Sequence, residues 1–404
     1  MFNDRLLADR EKRAKIVAQM VKESDVVSVK ANVPGWEKNI PLAILTTKHL
    51  AKIIKSAGAK GLKTHHSLDG LSFFAKVKDG YQFKDYAVSL EQTHPLGRLI
   101  DIDVTIKGEK QSLTRGSLRK CFLCDNPAFV CGKNKTHSIG ELVNYFNKTA
   151  KEYFNNLIAQ FVKESMLSEL NIEDKFGLVT PTSNGSHLDM NYTIMKYAID
   201  VICEPLTEAF FVGLKAESTQ NLMDKLIPIG LRCEEKMKLV TNGANAYKGF
   251  IFIGGLLLAS SGYALNKNLS YDKVYKVCAD ICSKYVMPTN TFGYESSKQG
   301  FGGIRKEAQN GFLTVNKAQK ELAKKSLSKV LTFILSEIDD SVLLKRAGSM
   351  ARYEYFKNLI VQSTNKTQKA VTRECVENKV SIGGSADILI CAVLMDRIKR
   401  NFIF

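Results

Sequence analysis

The sequence predicts an α+β domain over residues 1–148 and a larger all-α domain over residues 149–404. Three observations carry this. The chain has 404 residues, more than one hydrophobic core usually organises. Alternating and β-branched stretches are confined to its N-terminal part. From Gly140 onward apolar residues recur at helical spacing and strand signals are scarce.

In order along the chain, Val26–Val29 reads as a strand by its β-branched content. Pro41–Lys60 reads as a helix, with Ile44, Leu45, Leu50, Ile53 and Ile54 on one stripe. Leu71–Val77 and Tyr86–Leu90 read as two further strands. Leu99–Lys107 alternates: Ile100, Ile102, Val104 and Ile106 share one face, and Leu99, Asp101, Asp103, Thr105 and Lys107 the other. Leu142, Phe146, Tyr153, Phe154, Leu157, Ile158, Phe161 and Val162 then follow helical spacing to about Leu170. The junction near residue 148 is thus expected to be helical and stiff, with no Gly/Ser linker. Helical segments follow at 190–214, 221–239, 247–265, 271–286, 316–338, 349–362 and 385–400, joined by glycine-rich loops.

Apolar residues make up 45% and charged residues 25%, which excludes disordered, collagen-like and coiled-coil classes. The longest apolar stretch, Phe250–Ala259, is half of the roughly twenty residues a membrane span needs, so no span is expected. The N-terminus is charged from Asp4 and lacks the apolar core of a signal peptide. A cytoplasmic location is therefore expected. Net charge is +17, spread as +10 over residues 1–150 and +7 over 151–404. Such a field favours polyphosphates, nucleic acid or an acidic protein, and a lysine-rich genome gives the same charge without any partner. Nine cysteines without a secretion signal point to reduced thiols.

Asp101 and Asp103 lie on one strand face, with Cα atoms about 7 Å apart by strand rise. Paired carboxylates repel unless a cation lies between them, and Mg²⁺ takes such a pair together with phosphate oxygens. A solvated strand face is the plainer alternative. Gly97-Arg98 just upstream suits a turn that contacts phosphate. Lys107, Lys110, Arg115, Arg119, Lys120, Lys133 and Lys135 follow, against only Glu109 and Asp125. Cations next to paired acids suit a polyphosphate site.

Cys121, Cys124, Cys131 and His137 are spaced as a plausible tetrahedral Zn²⁺ set. Four protein ligands leave no open position, so a zinc there would be structural. Free buried thiols are the alternative. The set lacks the second Cys-x2-Cys of a zinc ribbon.

Three segments together resemble a known family: His94-Pro95-Leu96-Gly97-Arg98-Leu99-Ile100-Asp101-Ile102-Asp103-Val104, Arg119-Lys120-Cys121-Phe122-Leu123-Cys124 and Lys135-Thr136-His137. The family is the apo-citrate lyase phosphoribosyl-dephospho-CoA transferase, and the resemblance covers roughly residues 25–148. It implies a nucleotidyltransferase-like N-terminal domain. This domain would move phosphoribosyl-dephospho-CoA from a triphosphate precursor to a serine of the citrate lyase acyl carrier protein (the gamma subunit). Pyrophosphate would leave. Asp101, Asp103 and Arg98 would be catalytic.

Residues 165–400 resemble triphosphoribosyl-dephospho-CoA synthase. The segments are Asn184-Gly185-Ser186-His187-Leu188-Asp189-Met190, Pro228-Ile229-Gly230 with Glu234, Thr241-Asn242-Gly243-Ala244-Asn245-Ala246-Tyr247-Lys248-Gly249, Gly302-Gly303-Ile304-Arg305-Lys306-Glu307-Ala308, and Ser381-Ile382-Gly383-Gly384-Ser385-Ala386-Asp387. The resemblance implies displacement of adenine from ATP by the ribose 2′-hydroxyl of dephospho-CoA. Lys248 and Glu307 would be catalytic. Asp189, Asn245, Gly303, Arg305, Gly383, Gly384, Ser385 and Asp387 would bind substrate. Lys248, Arg305 and Lys306 would balance the triphosphate. Free N–H groups at Gly383-Gly384-Ser385 would hold phosphate at a helix start, although Ser385 also suits a plain N-cap. Asp189, Glu307 and Asp387 would hold Mg²⁺ or deprotonate the attacking hydroxyl. The pattern departs from the family at Asp174-Lys175-Phe176-Gly177, which lacks prolines around its lysine. It departs again at Ala246-Tyr247, where Thr-His is usual, at Lys306 for Gly, and at Asp339-Asp340-Ser341 for Asp-Thr-Asn.

The expectation is thus one chain that builds and attaches a prosthetic group, a bifunctional transferase with no nucleic-acid or membrane partner. One alternative keeps only the N-terminal transfer activity. Another is a zinc-containing nucleic-acid-binding protein, and a third is a non-catalytic scaffold for the carrier.

Overall fold

The computed structural model describes residues 2–116, 118–283 and 300–404. The chain divides into two compact units, Met1–Asn156 with Arg400–Phe404, and Leu157–Lys399.

The first unit is built on a four-stranded antiparallel sheet, order β2-β3-β1-β4. Its strands are β1 (Asp25–Ala31), β2 (Lys60–Ser67), β3 (Gly70–Val77) and β4 (Ile100–Thr105). Helices α1 (Phe2–Met20), α2 (Pro41–Ser56), α3 (Gly80–Thr93) and α4 (Ala128–Asn134) accompany it. In β4 the expected alternation holds from Ile100 to Val104: Ile100, Ile102 and Val104 are buried, and Asp101 and Asp103 face outward. Leu99 and Thr105, expected on the outward face, are instead buried at the two ends. Ile44 and Ala51 of α2 pack on Leu71 and Phe73 of β3, as the apolar stripe of α2 requires.

Three local readings need correction. Tyr86–Leu90 is helical, inside α3. Asp79 caps that helix by accepting from Gln82 N at 3.0 Å, and Phe83, Ala87 and Glu91 form its buried stripe. Helical capping and spacing outweighed the local apolar content. The helix begun at Pro41 ends at Ser56, and Lys60 already opens β2. That strand went unread because none of its residues is fully buried, so it shows no alternation. α1 is also new; its sparse stripe of Ile16, Val17 and Met20 covers Val26 and Phe74.

A buried polar chain ties this unit together. Leu96 N donates to His94 Nδ1 (3.1 Å), and His94 Nε2 meets Tyr153 Oη (3.3 Å). Tyr153 Oη meets His49 Nε2 (2.9 Å), and His49 Nδ1 meets Asn401 O (2.9 Å). The two ends fix the tautomers: His49 donates to the carbonyl, Tyr153 donates to His49, and His94 donates to Tyr153. Both imidazoles are therefore neutral. Burial, with His94 nearby, holds the His49 pKa down at about 4, against 6.5 in an unfolded chain. The unfolded chain takes up a proton first on acidification. His49 thus contributes about 3 kcal/mol above pH 6.5, lost as pH falls toward 4. Melting temperature should fall across that window, and His49→Phe should flatten the fall.

Among the described residues, the regular elements of the second unit are all helices, with one isolated β-bridge between Thr180 and Ser183. It takes the C-terminal part of α5 (Ile139–Leu170), which runs 32 residues and contains positions 148 and 149. There follow α6 (Tyr192–Leu214), α7 (Leu222–Val240), α8 (Lys248–Asn266) and α9 (Lys273–Cys282). After the undescribed stretch come α10 (Gly303–Gln309), α11 (Leu313–Glu321), α12 (Leu327–Glu337) and α13 (Ser341–Ala347). The last are α14 (Met350–Val361), α15 (Gln368–Glu377) and α16 (Gly383–Asn401). The segment expected at 316–338 is two helices, and positions 284–286 of the 271–286 segment lie outside the described residues. α8 meets the length and composition of a membrane span, which the ten-residue count did not anticipate. In this unit 78% of its most apolar window is buried, as in a core helix. Gly213 and Gly262 let α6 and α8 touch backbone to backbone: a Cβ on Gly213 would lie 1.8 Å from Ala259 O.

Candidate functional site

In the first unit, β4 presents Asp101 opposite Lys30 and Asp103 opposite Ser28 across the β1 ladder. Both carboxylates share one face, as read from the alternation. Asp103 is open to solvent, yet nearby atoms displace enough water to push its pKa above the usual carboxylate range. The Asp101 charge adds to this, and Lys84 and Arg119 oppose it. Arg119 pairs with Asp101 and with Glu91, and Arg115 pairs with Glu91 as well. Glu91 is a buried carboxylate on α3 that also accepts from Ile102 N at 2.9 Å. It therefore fastens β4 and both arginines around Asp101. Sequence reading missed it, because misreading this part of α3 as strand hid its buried stripe.

Arg98 sits in the short turn before β4 with its guanidinium 5.7 Å over the Phe122 ring. Gly97 is required there: a Cβ would lie 2.3 Å from Glu91 O. On the same sheet face Lys30 bonds buried Asp69 (2.9 Å), which also pairs with Arg10 and Arg13. Three cations on one carboxylate leave positive charge beside Asp101.

Cys121, Cys124, Cys131 and His137 converge in the same unit, with their donor atoms all within 4.8 Å of one another.

The second unit contains a cavity of about 1010 Å³, at the top of the usual 300–1,000 Å³ range for ligand sites. Of the residues singled out from sequence, Asp189, Asn245, Lys248, Arg305, Gly383, Gly384 and Asp387 line it. Lys248 Nζ lies 3.0 Å from Glu234, and Asn245 Oδ1 accepts from Lys248 N at 3.2 Å. Asp387 accepts from the backbone of Phe250 at the start of α8, and Gly249 is needed beside it, since a Cβ would lie 2.0 Å from Asp387 Oδ2. Burial, then the charges of Asp340 and Glu169, hold the Asp387 carboxyl well above its ordinary range.

Three sequence expectations are not met by this geometry. Glu307 is not among the lining residues; its carboxylate accepts from Thr314 N and, at 3.2 Å, from Thr314 Oγ1 at the start of α11. Gly303 and Ser385 are not lining residues either. The N–H groups at the start of α16 are not free. Buried Asp340 accepts from Gly384 N (3.3 Å), Ser385 N (2.7 Å) and Ser385 Oγ (2.8 Å), besides Val342 N and Leu343 N of α13. One carboxylate thus serves two helix starts, which a phosphate would otherwise occupy.

The cavity adds residues that sequence reasoning did not assign. Buried Lys175 donates to Glu169 Oε1 at 2.7 Å and to Glu169 O at 2.8 Å. Tyr247 is 3% exposed and its hydroxyl has no hydrogen-bond partner. Arg346 Nη2 lies 2.9 Å from His187 Nδ1, and burial with this guanidinium lowers the His187 pKa to about 4. His187 is therefore a neutral acceptor. Both Gly177 and Gly185 have positive φ, and any Cβ there would strike facing backbone oxygens within 2.4 Å. That tight loop pair sets His187 and Lys175 at the cavity.

Residues 155–403 match the family model described as ATP:dephospho-CoA triphosphoribosyl transferase. The chain belongs to that family. Residues 3–153 match the model of apo-citrate lyase phosphoribosyl-dephospho-CoA transferase, so both modules occur in one chain. Protein CitXG of Leuconostoc mesenteroides subsp. cremoris is 27% identical, covering 97% of this chain and 96% of the relative. Protein CitXG of Haemophilus influenzae is also 27% identical, covering 98% and 96%. The 2-(5''-triphosphoribosyl)-3'-dephosphocoenzyme-A synthase of Haemophilus ducreyi is 24% identical, covering 67% of this chain and 98% of the relative.

Proposed function

We propose that this chain makes triphosphoribosyl-dephospho-CoA from ATP and dephospho-CoA, and attaches its phosphoribosyl-dephospho-CoA group to the citrate lyase acyl carrier protein. The consecutive match of both family modules along one chain carries this reading. Residues 1–148 are assigned the transfer step and 149–404 the synthesis step, in the cytoplasm.

In the synthesis step the 2′-oxygen of dephospho-CoA bonds to C1′ of the ATP ribose, the bond to adenine breaks, and adenine leaves. The hydroxyl proton must be accepted and the departing base must gain one. Asp387 suits this exchange, because burial and the nearby Asp340 and Glu169 charges raise its pKa and so favour its holding a proton. Lys248, Arg305, Lys345 and Arg346 line the cavity and supply positive charge for the triphosphate. Asp189 lines it too and is exposed enough to join a Mg²⁺ ion. Glu307 is better assigned to holding α11 than to chemistry.

In the transfer step a serine oxygen of the carrier bonds to phosphorus and pyrophosphate leaves. Asp101 and Asp103 are the donors that would hold Mg²⁺: they share a face and repel one another. Bound there, the ion would supply neutralisation of phosphate charge. Arg98 and Arg119 orient the phosphates, and Lys30, Arg10 and Arg13 extend the cationic surface.

Lys248→Ala tests the division of labour. Use of ATP should weaken, on the order of tenfold or more from one lost charge contact. Transfer from pre-made precursor should be unchanged. Equal loss of both activities would contradict separate sites.

A further inference from the structure

We infer that Cys121, Cys124, Cys131 and His137 bind one structural zinc ion, and that this ion orders the loop delivering Arg119 to Asp101. Cys124 Sγ lies 3.4 Å from Cys131 Sγ and 3.3 Å from His137 Nε2. All four donors fall within 4.8 Å of each other. A tetrahedral zinc with bonds of about 2.3 Å to sulfur needs sulfur spacings of roughly 3.8 Å, so the thiols already stand near a ligand shell. They do not stand as a disulfide, because three sulfurs and an imidazole share one point.

The surrounding chain needs such an ion. Across the described residues of 106–130, Cys121 alone is buried, so little apolar burial is available to fix this segment. Besides the bond from Leu113 N to Val104 O (2.7 Å) and the ion pairs of Arg115 and Arg119, it holds a short knuckle: Cys121 N donates to Asn126 O (2.8 Å) and Ala128 N to Arg119 O (2.7 Å). Cys124 lies inside that knuckle, and Cys131 and His137 lie on and just beyond α4. Metal binding here would supply folding energy that apolar burial in this segment does not. Three thiolates and a neutral imidazole give the zinc centre a net charge of about −1. Its cationic surroundings suit that charge: Arg98 lies over Phe122 within the knuckle, and Arg119 stands two residues before Cys121. Fixing the backbone of Cys121 therefore fixes the root of Arg119, which pairs with Asp101 and Glu91. The positioning part rests on the proposed role of Asp101; the zinc site itself does not.

The test uses the full chain, purified without added metal. Elemental analysis should give about one zinc per chain. Exchange with Co²⁺ should produce sulfur-to-cobalt charge-transfer absorption and tetrahedral visible bands. Cys124→Ser should lose the ion; should that variant not fold, the cobalt spectrum of the unmodified chain decides. No zinc and no cobalt–thiolate absorption would overturn the site, as would a disulfide between Cys124 and Cys131. Stripping zinc should abolish transfer from pre-made precursor while ATP-dependent synthesis continues, and added zinc should restore transfer. Transfer unaffected by stripping would overturn the positioning role alone. Zinc present, with transfer absent under every condition, would leave the site standing and remove the transferase reading instead.

Discussion

Asp101→Ala and Asp103→Ala should each abolish modification of the carrier, by at least about 10²-fold, while the fold stays intact. That is the scale of losing one charge-stabilising group at a reacting centre. Both side chains leave the core of the sheet, which is made by Ile100, Ile102 and Val104, so their removal opens no cavity. Asp101→Ala also frees one side of Arg119, but Glu91 still holds that guanidinium. Circular dichroism and melting should therefore match the parent chain. Mass spectrometry of the carrier with pre-made precursor is the readout. Transfer at the parent rate would refute the metal–carboxylate role and leave the solvated-face reading of this strand.

Asp340→Ala should destabilise the second unit more than any other single change considered. Five donors converge on this fully buried carboxylate: Val342 N, Leu343 N, Gly384 N, Ser385 N and Ser385 Oγ. Its removal leaves buried donors at the starts of α13 and α16 without an acceptor. Each unmet buried group costs about 1–3 kcal/mol, so the loss should be on the order of 3 kcal/mol or more. For a unit of this size the melting point should drop by roughly 6–12 °C. Because α16 carries Asp387 into the cavity, synthesis from ATP should fall along with stability. A melting point within about 2 °C of the parent would show that other groups cap these helices.

Periodicity made most of the fold legible. The β4 alternation, the α2 stripe and the long helices from α5 onward all follow from apolar spacing over many residues. The failures were local. α3 was misread because Tyr86–Leu90 is rich in strand formers while its cap, Asp79, lies outside that window. β2 and α1 were missed because both are mostly solvated, and periodicity reports only what is buried.

The site was legible in part for a different reason. Motif residues bearing charge drew attention, and Lys248, Arg305, Asp189 and Asp387 do meet at one cavity. Glu307, Gly303 and Ser385 stand in the same motifs yet do not line it. A carboxylate that caps a helix and one that meets a substrate look alike in sequence. Asp340 illustrates this, since it takes the place at α16 that phosphate was expected to fill. Glu91 was invisible because its partners Ile102, Arg115 and Arg119 lie 11 to 28 residues away. Glu169 was invisible because it stands in a long helix outside every motif, although its partner Lys175 lies in one.

The most direct test is the mass of apo-acyl carrier protein incubated with this chain, ATP, dephospho-CoA and Mg²⁺. A gain equal to phosphoribosyl-dephospho-CoA is expected, showing that both activities reside in one chain. No gain, even with pre-made triphosphate precursor supplied, would contradict the account.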